Sequence, residues 1–171
     1  MNIGKIALTF AALALCGHAA AQSDNPGNIE AFTGPYIGTK VGANISSVSG
    51  ATNRSSHTTI FPGFVAGYGF GVGPAVIGAE IFADLHFGSA TNKDIGIDAK
   101  LGYPIGSFMP YGRVGVTGTS PSYRIHYGAG VEYMATRNVS VFSEWTGDTD
   151  RAGGSRWVNN SFTIGVNYRL R

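Results

Sequence analysis

From Tyr36 to Leu170 the chain alternates apolar side chains with polar or small ones, in segments of about ten residues separated by turn residues, a pattern that predicts strands rather than helices. The alternation predicts eight strands, over residues 36–45, 60–70, 75–87, 94–104, 109–118, 123–134, 138–147 and 158–170. It is clearest in the third, where Ile77, Ala79, Ile81, Ala83, Leu85 and Phe87 share one face while Glu80, Asp84 and His86 share the other. The fourth opposes Ile95, Ile97, Ala99, Leu101 and Tyr103 to Asp94, Asp98 and Lys100. The eighth opposes Val158, Phe162, Ile164, Val166, Tyr168 and Leu170 to Thr163, Asn167 and Arg169. Period two places each pair of sets on opposite sides of a sheet.

Alternation alone does not say which face is wet. The polar face is rich in glycine (Gly38, Gly42, Gly67, Gly69, Gly78, Gly96, Gly102, Gly128, Gly130, Gly165), as a crowded concave surface requires. The apolar face carries aromatics near strand ends (Tyr68, Phe70, Phe87, Tyr103, Tyr133, Trp145), which suits the interfacial girdles of a barrel in lipid. Strands of about 9–11 residues are long enough to cross hydrocarbon when tilted. An even strand number and paired edges then favour closure, because backbone groups in a bilayer must all be satisfied. The fold class expected is all-β: an eight-stranded antiparallel up-and-down transmembrane β-barrel. Short turns at 71–74, 104–110 and 135–138 fall on the periplasmic side with both termini. Segments 46–59 and 146–157, rich in Ser, Thr, Asn and Gly, are expected as long surface loops.

Residues 1–21 differ from the rest: Lys5 is their single charge, an apolar run covers 6–15, and Ala19-Ala20-Ala21 precedes Gln22. This is the form of a secretory signal peptide cleaved near Ala21, too short to span a bilayer as a helix. Cys16 is the one cysteine. A lipid-modified cysteine is the rival reading, against which stands Leu15, where a lipoprotein signal wants a small residue. With ordinary cleavage the mature chain has no thiol for disulfides, metal sites or nucleophilic catalysis. Residues 22–33 form a polar leader and 34–171 a single barrel domain.

Composition agrees with lipid burial. Only 13% of residues are charged and 26 are glycine, against averages of about 25% charged and about 7% glycine in proteins generally. The 12 basic residues, one of them Lys5 in the signal peptide, stand against 10 acidic ones, a balance that argues against nucleic-acid binding.

The stretches "DAKLGYPIGSFMPYGRVGV" (98–116), "YGAGVEYMATRNVSVFSEW" (127–145) and "FTIGVNYRLR" (162–171) resemble successive parts of the OmpA transmembrane domain. "GPYIGTKVGANIS" (34–46) resembles it more weakly. Similar strands occur in other small barrels, including the OmpX/Ail type. The resemblance implies a small outer-membrane barrel, here without the peptidoglycan-binding domain that many relatives carry. It also implies partners: outer-membrane lipids, lipopolysaccharide and the assembly machinery, which would read Thr163, Gly165, Tyr168 and Leu170 in the last strand. Arg171 departs from the family habit of ending on an aromatic residue.

Carried through the strands, the phase puts Lys40, Glu80, Asp84, His86, Asp98, Lys100, Arg113, Arg124, His126, Glu132, Glu144 and Arg169 inside. An eight-stranded barrel has room only for side chains, so a paired polar core is expected, with a narrow gated pore as the functional alternative. In the resemblance, Glu80, Lys100 and Glu132 match the family's interior salt-bridge network, whereas Phe142 stands where the family has an arginine. Arg113 and Arg124 are the candidate substitutes.

No cofactor is expected, and no enzyme. A sealed lumen has no space for a sugar between paired carboxylates. His126 is followed by Tyr127 and Gly128 and faces inward, unlike the histidine of a lipid A deacylase. His57, His86 and His126 lack metal-ligand spacing. "GYGFGVG" runs into a strand turn rather than the helix of a phosphate loop. The expected function is therefore an envelope structural or surface-interaction role, with Arg54, Arg151 and Arg156 offered to anionic ligands by segments 46–59 and 146–157.

Overall fold

A computed structural model of the chain describes residues 28–49, 55–86, 94–119, 122–152 and 155–171. Eight strands follow one another: β1 (Gly34–Ser49), β2 (Ser55–Val72), β3 (Ala75–Asp84), β4 (Asp94–Gly102), β5 (Phe108–Thr119), β6 (Ser122–Met134), β7 (Val139–Ala152) and β8 (Ser155–Arg169). Each pairs antiparallel with the next, and β1 pairs with β8 from Tyr36 opposite Arg169 to Ser49 opposite Arg156, so the sheet closes on itself.

Turn chemistry sets the near ends. Gly73 (φ 56°) and Pro74 join β2 to β3, and Gly106 (φ 60°) turns the chain ahead of β5, both in the left-handed region that glycine enters without strain. Between β6 and β7 the Thr136 hydroxyl accepts hydrogen bonds from the backbone N–H groups of Asn138 and Val139, at 3.3 and 3.0 Å.

Burial alternates in phase with the sequence, but with the polarity of a water-soluble protein reversed. In β4, Asp94, Asp98 and Lys100 are buried while Ile95, Ile97 and Leu101 are exposed. Such an exterior is stable only against hydrocarbon. Phe87, expected in the aromatic girdle, lies outside the described residues.

The sheet rises further than the alternation predicts. Segments 46–59 and 146–157 are not long loops: the β1–β2 ladder continues to Val48 opposite Ser55, and the β7–β8 ladder to Ala152 opposite Ser155. Ser- and Thr-rich sequence pairs here because each backbone still supplies its donor and acceptor, whatever its side chains. Residues 50–54 and 153–154, at the tips of these hairpins, lie outside the described residues, as do the Arg54 and Arg151 side chains.

The polar leader also has a structured end. Ile29–Phe32 form a 3-10 helix that closes the barrel floor. Phe32 is only 1% exposed and packs with Ala31, Val76, Met109 and Met134. The chain's own end ties it down: Arg169 Nη1 donates to the Phe32 carbonyl at 2.8 Å, and Arg171 Nη2 to that of Ala31 at 2.7 Å.

Inside, aromatic rings lie directly across the ladder from glycines: Tyr36 from Gly67, Phe61 from Gly42, Phe82 from Gly96, Tyr111 from Gly130 and Phe142 from Gly165. A Cβ at Gly67 would sit 2.5 Å from the Tyr36 ring, and one at Gly130 2.7 Å from the Tyr111 ring. The missing side chains are what let rings and charges share so narrow a bore.

Candidate functional site

The charged lumen residues form three storeys between floor and mouth. In the lowest, Glu132 is fully buried and faces two cations, Lys100 Nζ at 3.1 Å and Arg169 Nη2 at 2.6 Å. The Ser140 hydroxyl donates to the same carboxylate at 2.6 Å. The ammonium of Lys100 lies 3.8 Å from the centre of the Tyr111 ring, a cation–π contact that steadies a charge out of reach of water.

Arg113 is the hub of the middle storey. Its guanidinium meets Glu80 Oε1 at 2.9 Å, Glu144 Oε2 at 2.8 Å and, through Nε at 2.6 Å and Nη2, Asp98 Oδ2. Five donors in a planar fork suit one cation to several carboxylates in a way lysine cannot match. Tyr36 donates to Glu80 at 2.7 Å and Tyr111 to Glu144 at 2.9 Å, so lone pairs left by the arginine are also met. Lys40 pairs with Asp84 at 3.0 Å and lies 3.9 Å from Glu144, while His126 Nδ1 is 3.1 Å from Asp98.

Near the mouth Arg124 bridges Asp148 (2.8 Å) and Asp94 (3.0 Å). Asn159 donates to Asp148 at 2.7 Å and accepts from Ser46 at 2.7 Å, joining this storey to the rising hairpins.

All the lumen residues expected from the phase therefore face inward, His86 included. Of the two candidate substitutes for the arginine absent at position 142, Arg113 takes Glu144, and Arg124 is engaged further out. Phe142 covers Gly165 instead. Thr163 and Gly165 of the last strand face the lumen, and Tyr168 and Leu170 the exterior. Asp148 lies one residue beyond the expected seventh strand, and its parity with Glu144 is the sequence signal that places it inside. Tyr36, Tyr111 and Ser140 join the network as neutral donors, which the pattern of charges along the strands does not reveal.

Among the described residues, the carboxylates Glu80, Asp84, Asp94, Asp98, Glu132, Glu144 and Asp148 face the cations Lys40, Lys100, Arg113, Arg124 and Arg169. Carboxylates outnumber these cations by two, and the buried histidines His86 and His126 and the phenols of Tyr36 and Tyr111 lie in the same lumen. Cavities at the two ends of the network are water-sized, about 10 Å³ above the floor and about 20 Å³ near the mouth.

The family model described as "Outer membrane protein beta-barrel domain" matches residues 8–169. The chain belongs to this family. Among solved structures this outer-membrane barrel is similar to Neisserial surface protein A, with a TM-score of 0.52 and 18% identity over 78% of this chain and 97% of that one. It is similar to Ail, the attachment invasion locus protein of Yersinia pestis, with a TM-score of 0.52 and 13% identity over 80% and 99%. Ail in complex with the heparin analogue sucrose octasulfate matches at a TM-score of 0.52 and 14% identity, over 80% and 99%. At such identities the likeness shows the shared barrel. No curated protein sequence is similar enough to count as a relative.

Proposed function

We propose that this barrel is an envelope protein whose lumen is a fixed ionic core and whose contacts are made at the cell surface, through the β1–β2 and β7–β8 hairpins. The observation that carries the reading is the filling of the bore: Arg113 bonds three carboxylates at once and the flanking cavities hold about a water molecule each. Opening an ion path would require breaking several buried, charge-assisted bonds together, and a partner removed from a buried pair costs about 3–5 kcal/mol. The gated pore stays the second reading, favoured by the 3.9 Å approaches of Lys40 to Glu144 and of Lys100 to Glu80, which are neighbouring carboxylates for exchange.

The surface ligand we favour is an anionic glycan, lipopolysaccharide included. Arg156 is exposed on β8, Arg54 and Arg151 belong to the same two hairpins in the sequence, and the similar Ail barrel has been solved with a heparin analogue. Export by a signal peptide cleaved near Ala21, and insertion by the assembly machinery through the last strand, complete the proposal.

Two measurements on the refolded chain test it. Planar-bilayer recordings should show no openings above the bare membrane; discrete steps of conductance would move the function to the pore. Immobilised heparin should retain the protein at low salt, and replacing Arg54, Arg151 and Arg156 by Ser should abolish retention. Equal retention of both forms would remove the glycan reading.

A further inference from the structure

We propose that the cavity at the outer end of the lumen is a seat for one monovalent cation of the sodium, potassium or ammonium class, bound through Thr117 with Asn44 and the flanking carboxylates of Asp94 and Asp148. The space is about 20 Å³, enough for one ion or water. Thr117 points into it, is 2% exposed, and its hydroxyl oxygen has no hydrogen-bond partner. An orphaned buried hydroxyl is costly and marks a position that something else completes.

Charge distinguishes an ion from a water. Among the described residues the lumen carboxylates outnumber the lysines and arginines by two, and a water molecule would satisfy Thr117 without touching that imbalance. Arg124 and Lys40 stand nearby but are committed to Asp94, Asp148 and Asp84. Among the described residues no three His, Cys, Asp or Glu side chains are grouped to hold a metal ion. A divalent or transition metal would want such a set, whereas hydroxyl, amide and single carboxylate oxygens are enough for a loosely held univalent ion. The competing source of positive charge is a proton on each of His86 and His126, which also line the cavity.

The experiment compares thermal unfolding of the full refolded chain in chloride salts of sodium, potassium, ammonium and tetramethylammonium, at one ionic strength and pH 8. Tetramethylammonium is too large for the cavity. A saturable rise in the midpoint of a few degrees with a small cation, relative to tetramethylammonium, is expected, together with loss of that rise in Thr117→Val. Crystals soaked in rubidium chloride should show one anomalous peak beside Thr117. Identical midpoints in all four salts, or a rise that Thr117→Val keeps, would overturn the seat. So would 15N imidazole shifts showing both histidines protonated at pH 8. Should Thr117→Val fail to fold, the salt comparison and the rubidium peak on the unaltered chain decide alone.

Discussion

Arg113 and Glu144 meet through a single guanidinium nitrogen, Nη1, that lies 2.9 and 2.8 Å from the two carboxylate oxygens. The same nitrogen is 2.9 Å from Glu80. One arginine on β5 thereby ties β3, β4 and β7 together across the bore, where the related family pattern would draw its arginine from β7 itself.

Removing the hub should be far worse than replacing it with something neutral on both sides. Arg113→Met leaves Glu80, Asp98 and Glu144 buried with fewer partners, and a loss of about 3–5 kcal/mol is expected from urea unfolding in micelles. Adding Glu144→Gln should recover part of that loss, since one uncompensated charge is gone. A double variant as unstable as the sum of the two singles would show that the pair is not coupled.

The glycines beneath the rings differ in what surrounds them, and so should their alanine variants. At Gly67 an added Cβ meets the Tyr36 ring at 2.5 Å and the Ala79 carbonyl at 2.7 Å, neither of which can retreat easily. At Gly102 the three nearest atoms all belong to the Met109 side chain, from 2.6 Å outward. Gly67→Ala is expected to cost about 1–3 kcal/mol as overpacking, and Gly102→Ala under about 1 kcal/mol because methionine reorients. Urea midpoints of the two, measured side by side, check the order.

The two faces of β4 give the sharpest test of orientation. Ile97 is 53% exposed at the middle of the strand, while Asp98 beside it is buried against Arg113. Arginine on a lipid face at the bilayer midplane costs about 2–4 kcal/mol. Ile97→Arg should lower stability by that amount in phospholipid vesicles, and much less in a detergent micelle that deforms around the charge. Equal losses in both would argue that this face does not meet hydrocarbon.

Facing was legible in the sequence because a strand repeats every two residues, so placing Glu132 inward fixes Val131 as outward with no knowledge of the partner strand. The heights of the walls were not legible. Ser46–Ser49 and Ser55–Thr59 have the composition of loops, and only the register, Ser46 opposite His57, shows that their backbones are paired. Register also hid the ring-over-glycine pairs: Phe142 and Gly165 lie 23 positions apart, and nothing local links them. The network's charges could be collected by parity, but their partners depend on which storey each occupies. That is why Arg113 and Arg124 stood as equals in the sequence and separate in the structure.

The floor was the least visible part, and it yields a prediction of its own. Ile29–Phe32 is too short to show a period, yet Phe32 fills the base of the bore and its carbonyl receives Arg169, which also holds Glu132. Burial of the ring and orientation of the lowest ion pair are thus joined through one guanidinium. Phe32→Ala should cost about 3–5 kcal/mol by the cavity it leaves. If Arg169 depends on that carbonyl for its position, Phe32→Ala and Glu132→Gln should be non-additive in a double-mutant cycle, with a coupling of about 0.5–3 kcal/mol. Additive losses would show the plug to be a separate packing unit, with Arg169 placed by Glu132 alone.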